Sequence, residues 1–222
     1  MSGTLNQKDI DMLGLLNKRV NFVSVKNPIP ADRMPIIIPK GLNMSAKYLE
    51  ANLPAMASLI KGLKETHKGK GIVHMTYNVS NRLATLLKGE GYLYHTQETK
   101  EAVLAEFLSS KKNVVLIACG MTTGLDLNGE DYQWQAIAKV PYPSLGDPLV
   151  AKWLKDDPEW YTWLSLRQVL QATGRICRGA GDFGKTYILD NTVGTLDGKR
   201  VGLFSRGSRM IPKYFKEAVK YE

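Results

Sequence analysis

Two arginines and a glutamine give the sharpest chemical signal in this chain. In Gln171-Ala172-Thr173-Gly174-Arg175-Ile176-Cys177-Arg178 they stand at relative positions zero, four and seven, which on a continuous helix is one face. Each guanidinium is a planar fork of N–H donors that matches phosphate oxygens, and Gly174 lets a ligand approach closely. The cluster therefore suits the terminal phosphates of a nucleotide. The same spacing serves equally well for a solvated basic face at a helix end, which the helix dipole favours.

A second group follows the apolar run Val114–Ala118, in Cys119-Gly120-Met121-Thr122-Thr123-Gly124-Leu125-Asp126. Open α/β sheets bind ligands in loops at the carboxyl ends of their strands. The hydroxyls of Thr122 and Thr123 and the backbone N–H groups near Gly124 can donate to phosphate oxygens, and Asp126 can accept from a ribose hydroxyl or an arginine. A glycine-rich turn capped by Asp126 explains the residues as well. A third group, Thr76-Tyr77-Asn78, follows the apolar run Ile72–Met75; Tyr77 reads more readily as a packed ring than as a base-stacking one, and His74 as structural.

The elements that must position these groups follow from apolar periodicity. Residues 19–25 alternate as a half-buried strand would, and a second strand is expected over Met34–Ile38. Apolar spacing predicts a helix from Ser45, its expected cap, to about His67, with Pro54 dividing or kinking it. Then come a strand over Ile72–Met75, a helix through Leu83, Leu86 and Leu87, a strand over Tyr92–Tyr94, a helix over Lys100–Ser109 and a strand over Val114–Ala118. Further strands are expected over Gln135–Val140 and from Thr186, separated by a helix over Asp157 to about Arg178. Strands alternating with helices predict a mostly parallel sheet covered on both faces. Residues 1–17 lack a clear strand partner, and residues 191–211, rich in Gly, Arg and Ser, read as loop or as contacts to another body.

Bulk properties bound the function. At 222 residues, 44% of them hydrophobic, the chain can bury a sizeable core. Lys and Arg outnumber Asp and Glu 30 to 21, a net charge of +9 that favours polyanionic partners. The only two cysteines, Cys119 and Cys177, are far apart and lack metal-ligand spacing. No run is long and apolar enough to span a membrane and the first residues lack the order of a signal peptide, so a soluble, unsecreted protein of the cytoplasm, nucleoid or nucleus is expected.

The segment Gln171–Arg178 resembles motif VI of superfamily 2 helicases, Gln-x-x-Gly-Arg-x-x-Arg, at every fixed position. The segment around Thr122–Asp126 is similar to motif V in the Gly-x-Asp form of the branch that includes DinG and XPD, with Thr123 where those relatives carry an acidic residue. Val140-Pro141-Tyr142, followed by Asp147-Pro148, is similar to that branch's Leu-Pro-Phe and Asp-Pro. Gly71–Asn78 resembles motif IV, and Ser2-Gly3-Thr4-Leu5 resembles motif III, which closes the first motor lobe and links ATP state to nucleic-acid grip. The four motifs occur in the family's order.

The resemblance implies a three-layer α/β, RecA-like lobe over residues 18–222, preceded at residues 1–17 by the end of a first lobe. It implies that Arg175, Arg178 and Gln171 act in catalysis, and that Gly124 and Asp126 with both arginines contact ATP. Thr76, Tyr77, Asn78, Thr122 and Thr123 would contact nucleic acid, while Ser2 and Thr4 would couple the two activities. No Gly-x-x-x-x-Gly-Lys-Ser/Thr loop and no acidic magnesium box occur in the sequence. ATP and Mg2+ are therefore expected in a complete enzyme, with the first helicase lobe and single-stranded DNA or RNA as partners. This chain alone is expected to hold neither cofactor tightly and to be inactive. A non-enzymatic nucleic-acid-binding module is the alternative; a stand-alone nucleotide-binding enzyme lacks both a Gly-x-Gly-x-x-Gly after a strand and a nucleophile–base group.

Overall fold

A computed structural model describes residues 4–15, 18–23, 25–89, 91–121, 127, 132–177, 179 and 181–222. Seven strands form one sheet: β1 (Ile36–Ile38), β2 (Gly71–Met75), β3 (Tyr92–Leu93), β4 (Val115–Cys119), β5 (Trp134–Ile137), β6 (Lys185–Ile188) and β7 (Val219–Tyr221), in the order β3-β4-β2-β5-β6-β1-β7. Every pairing is parallel, as the short, uninterrupted apolar runs of β2 and β4 require of strands buried on both faces.

Helices cover both faces. On one, Val73, Met75, Val115 and Ile117 pack against Leu53, Met56 and Ile60 of α2 (Leu49–Thr66) and Val79 and Leu83 of α3 (Tyr77–Leu83). On the other, Ile72, Leu116 and Ala118 meet Phe107 of α4 (Lys100–Ser109), and Ile36, Ile38, Ile137 and Ile188 meet Trp163, Leu166 and Leu170 of α6 (Pro158–Thr173). The same face takes Phe204 of α7 (Leu203–Arg206) and Phe215 of α8 (Lys213–Ala218). The fold is the RecA-like α/β architecture.

Local chemistry sets the helix boundaries. Two Asp-Pro pairs start α5 (Pro148–Asp156) and α6: Asp147 accepts from the Leu149 N–H at 2.8 Å and Asp157 from the Trp160 N–H at 3.1 Å, with proline at the first helical position of each. The short α1 (Gln7–Met12) begins with a capping box between Asn6 and Asp9.

Several expectations are corrected. Residues 19–23 and 25 form no strand, and Val23 and Val25 are 88% and 83% exposed; alternation supplies a face but no neighbour to receive it. The helix expected to reach Arg178 stops at Thr173, because Thr173 Oγ1 turns back onto the Leu170 carbonyl at 2.9 Å and Gly174 takes the cap. Arg175 consequently lies beyond α6 rather than on a helical face shared with Gln171. Ser45 caps nothing; Tyr48 occupies the cap of α2, and Pro54 sits within that helix without dividing it. Residues 191–211 are largely loop, as expected, but they include a turn of 3-10 helix at Asn191–Val193, the short α7 and the fully buried Phe204.

Candidate nucleotide and nucleic-acid interface

Parallel pairing brings the carboxyl ends of all strands to one edge, where the candidate residues Thr76, Tyr77 and Asn78 sit. Thr76 follows β2 and stands at the N-cap position of α3, without a side-chain capping bond; the first two residues of that helix are Tyr77 and Asn78. Asn78 is exposed, whereas Tyr77 is half-buried with its ring edge-on to His95 at 5.6 Å between centroids. His95 was not singled out from the sequence. Its Nε2 accepts the Cys119 N–H at 3.1 Å, so its proton sits on Nδ1 and is donated to the Thr96 carbonyl at 2.9 Å. One imidazole thus ties the loop after β3 to the end of β4, and Tyr77 leans on it.

A cleft of about 270 Å3 opens between these strand ends and α6, lined by His74, Thr76, Tyr77, Gly120, Lys139 and Gln168 among others. His74 is opposite Ala118 and Ile137 in the sheet. Gln135 donates through Nε2 to the Thr173 carbonyl at 3.0 Å and to Thr186 Oγ1 at 2.9 Å, leaving its Oε1 to accept from His74 Nε2 at 3.3 Å. Burial drives His74 down to about 4; the Gln135 hydrogen bond opposes this and the positive charge of Arg175 adds to it. Arg175 itself is half-buried, with its backbone N–H donating to Ala172 O at 3.2 Å. Lys139 also faces the cleft; its Nζ donates to the Met44 carbonyl, and burial lowers its pKa.

Gln171 and Thr4, 167 residues apart, meet: Gln171 Nε2 donates to Thr4 Oγ1 at 3.3 Å. The contact is held by α1, which docks on α6. Asp9 accepts Trp163 Nε1 at 2.9 Å and Arg167 Nη1 at 2.8 Å, and Lys8 pairs with Asp157 at 2.6 Å. Ser2, Thr122, Thr123, Gly124, Asp126 and Arg178 lie outside the described residues. Among the described residues, no group of three or more His, Cys, Asp or Glu is placed to hold a metal ion. Both cysteines are buried thiols, and burial pushes Cys177 up to about 11. No described helix is long and apolar enough to cross a membrane.

The signature of the family Helicase_C_2, helicase C-terminal domain, matches residues 58–202. No curated protein matches the chain. Among solved structures, Xpd4 of S. tokodaii is 18% identical over 85% of this chain and 38% of its own, with a TM-score of 0.59. An XPD helicase is 15% identical over 85% of this chain and 35% of its own, at 0.65. S. cerevisiae Dbp5, solved bound to RNA and ADP BeF3, is 14% identical over 100% of this chain and 50% of its own, at 0.60. At these identities the likeness establishes the fold. The chain spans half or less of the length of each of these structures.

Proposed function

The chain belongs to the helicase C-terminal domain family, and on that premise we propose that it is the second motor lobe of an ATP-dependent helicase or translocase. In this reading it grips single-stranded DNA or RNA and presents arginine fingers to ATP held by a first lobe. The observation that carries it is one cleft shared by the loop after β2, through Thr76 and Tyr77, and the end of α6, through Gln168 and Ala172, next to which Gln171 bonds to Thr4.

The described residues suit such a nucleotide in part. The Arg175 guanidinium fits phosphate oxygens, and Gln171 offers an amide. The described residues provide no carboxylate cluster for Mg2+, which would be held by the first lobe. Bound ATP with Mg2+ supplies the transferable phosphoryl group. Arg175 and Arg178 then neutralise charge as it develops on that group, and Gln171 orients the nucleotide or the attacking water. Gly124 and Asp126 link nucleotide state to the loop after β4. The cleft-edge residues Thr76, Tyr77 and Asn78, with Thr122 and Thr123, hold the strand.

Thr4 and Ser2 stand between the two activities. Because Thr4 Oγ1 accepts a hydrogen bond from the same glutamine that would face the nucleotide, a shift of Gln171 on hydrolysis transmits directly to the segment that leads into α1. Reconstitution with a first lobe tests the assignment. Arg178→Ala is expected to lower nucleic-acid-stimulated hydrolysis about 10³-fold while leaving nucleotide affinity nearly intact; undiminished hydrolysis would discard the finger role.

A further inference from the structure

A second cleft on the carboxyl edge carries positive charge that the motor reading leaves unused. It opens where the chain leaves β1, β5 and β6, encloses about 490 Å3, and is walled by Asn43, Tyr142, Asn191, Thr192, Arg200 and Arg206. Among the described residues neither arginine is paired with a carboxylate, whereas Arg82 and Arg167 are. The acid beside this wall, Asp190, is fully buried and already accepts the N–H groups of Met44, Val140 and Thr192 at 3.2, 2.9 and 3.1 Å. Arg200 Nε and Thr192 Oγ1 are buried with no hydrogen-bond partner among the described residues. Buried donors rarely stay unmet, so this wall carries donors for which the described residues supply no acceptor.

The cleft is built rather than incidental. The loop bearing Arg200 is closed at its neck by Gly194 and Gly202, which lie so close that a Cβ on Gly194 would fall 2.6 Å from the Gly202 nitrogen. Gly194 holds φ at +70°, a conformation that side chains disfavour. Within the loop, the Thr195 N–H donates to Arg200 O at 2.9 Å and the Arg200 N–H to Thr195 Oγ1 at 3.0 Å. Gly202 then starts α7, whose last residue is Arg206. The backbones of Arg200 and Arg206 are thus positioned at opposite ends of one short segment.

We propose that this cleft is a phosphate subsite for the backbone of single-stranded nucleic acid, with Arg200 and Arg206 each taking one phosphodiester. The proposal rests on the nucleic-acid motor reading above. A strand fits better than a free nucleotide because Tyr142 lines both clefts and is stacked on Tyr161 at 6.2 Å and 9°. A chain seated in the first cleft can therefore run past that ring into the second.

Fluorescence anisotropy of the full chain with a labelled oligothymidine, titrated with NaCl, tests this. Each lost phosphate contact lowers the log–log salt slope by roughly 0.7 for a single strand, so Arg200→Gln with Arg206→Gln should lower it by about 1.4 and weaken binding at low salt. Arg206→Gln alone, at an exposed position, should remove about half of that slope without risk to folding. Arg209→Gln with Lys216→Gln, equally charged and also exposed, should leave the slope nearly unchanged. Equal losses in the two double variants, or an unchanged slope in the cleft variant, overturn the subsite while sparing the motor reading. Absence of oligothymidine binding by the unsubstituted chain overturns both. If the cleft variant instead loses only the ability of ATP or inorganic phosphate to compete, the site belongs to a free phosphate and the strand assignment falls.

Discussion

His74 shows how a single burial fixes a chemical state. Held near 4 in the folded chain against about 6.5 when unfolded, it leaves the unfolded state binding the extra proton between those two values. Stability is therefore full above about 6.5 and falls with pH down to about 4, by at most roughly tenfold in the folding equilibrium per pH unit. Urea unfolding between pH 7 and 4.5 should show this slope, and His74→Gln should reduce it to the part contributed by His67, whose pKa burial also lowers, and, toward the acid end, by the lowered carboxylates Glu98, Asp157 and Asp197. Asp190 is a stronger determinant. Asp190→Ala strands three N–H donors, two of them buried, and is expected to cost about 3 kcal/mol in unfolding free energy. At this scale the sequence was partly legible. The buried strand assigns His74 a structural place, and Tyr77 is a packed ring as its type suggests. His95 and Asp190 were not legible, since each also binds a backbone group far along the chain, 24 residues away for His95 and up to 146 for Asp190, and side-chain-to-backbone bonds leave no periodic trace.

Among elements, the docking of α1 on α6 is the most consequential. Its anchor is one carboxylate, Asp9, shared by Trp163 and Arg167. Asp9→Ala should destabilise the chain by about 2 kcal/mol and, more tellingly, release residues 4–12 to fast amide exchange while the sheet stays protected. Uniform loss of protection would show instead that α1 belongs to the core. The six-residue α1 and α8 and the three-residue β7 are too short for apolar periodicity to reveal. The long α2 and the apolar β2 and β4 announce themselves, and each of their expected boundaries falls within a few residues. Residues 20–23 and 25, all exposed, fail for the opposite reason: they have the period of a strand but no pairing partner among the described residues. The break of α6 at Gly174 was equally visible as a residue type, yet the match of spacing to a helical face outweighed it.

For the molecule as a whole, α-then-β alternation gave the architecture, because parallel strands must be joined by crossovers and crossovers must lie on the faces. The strand order could not be read from it. No local property of Ile36–Ile38 says that these residues will sit between β6 and β7, near the opposite end of the chain. That placement has a consequence for how the protein is made. A ribosome releases Ile36–Ile38, all buried in the finished fold, roughly 150 residues before Lys185–Ile188 arrives and still longer before Val219–Tyr221 closes the other side. Throughout that interval a nascent chain carries an unpaired, three-isoleucine edge with the hydrogen-bonding groups of a strand, so its vulnerability to misassociation peaks during translation rather than after it.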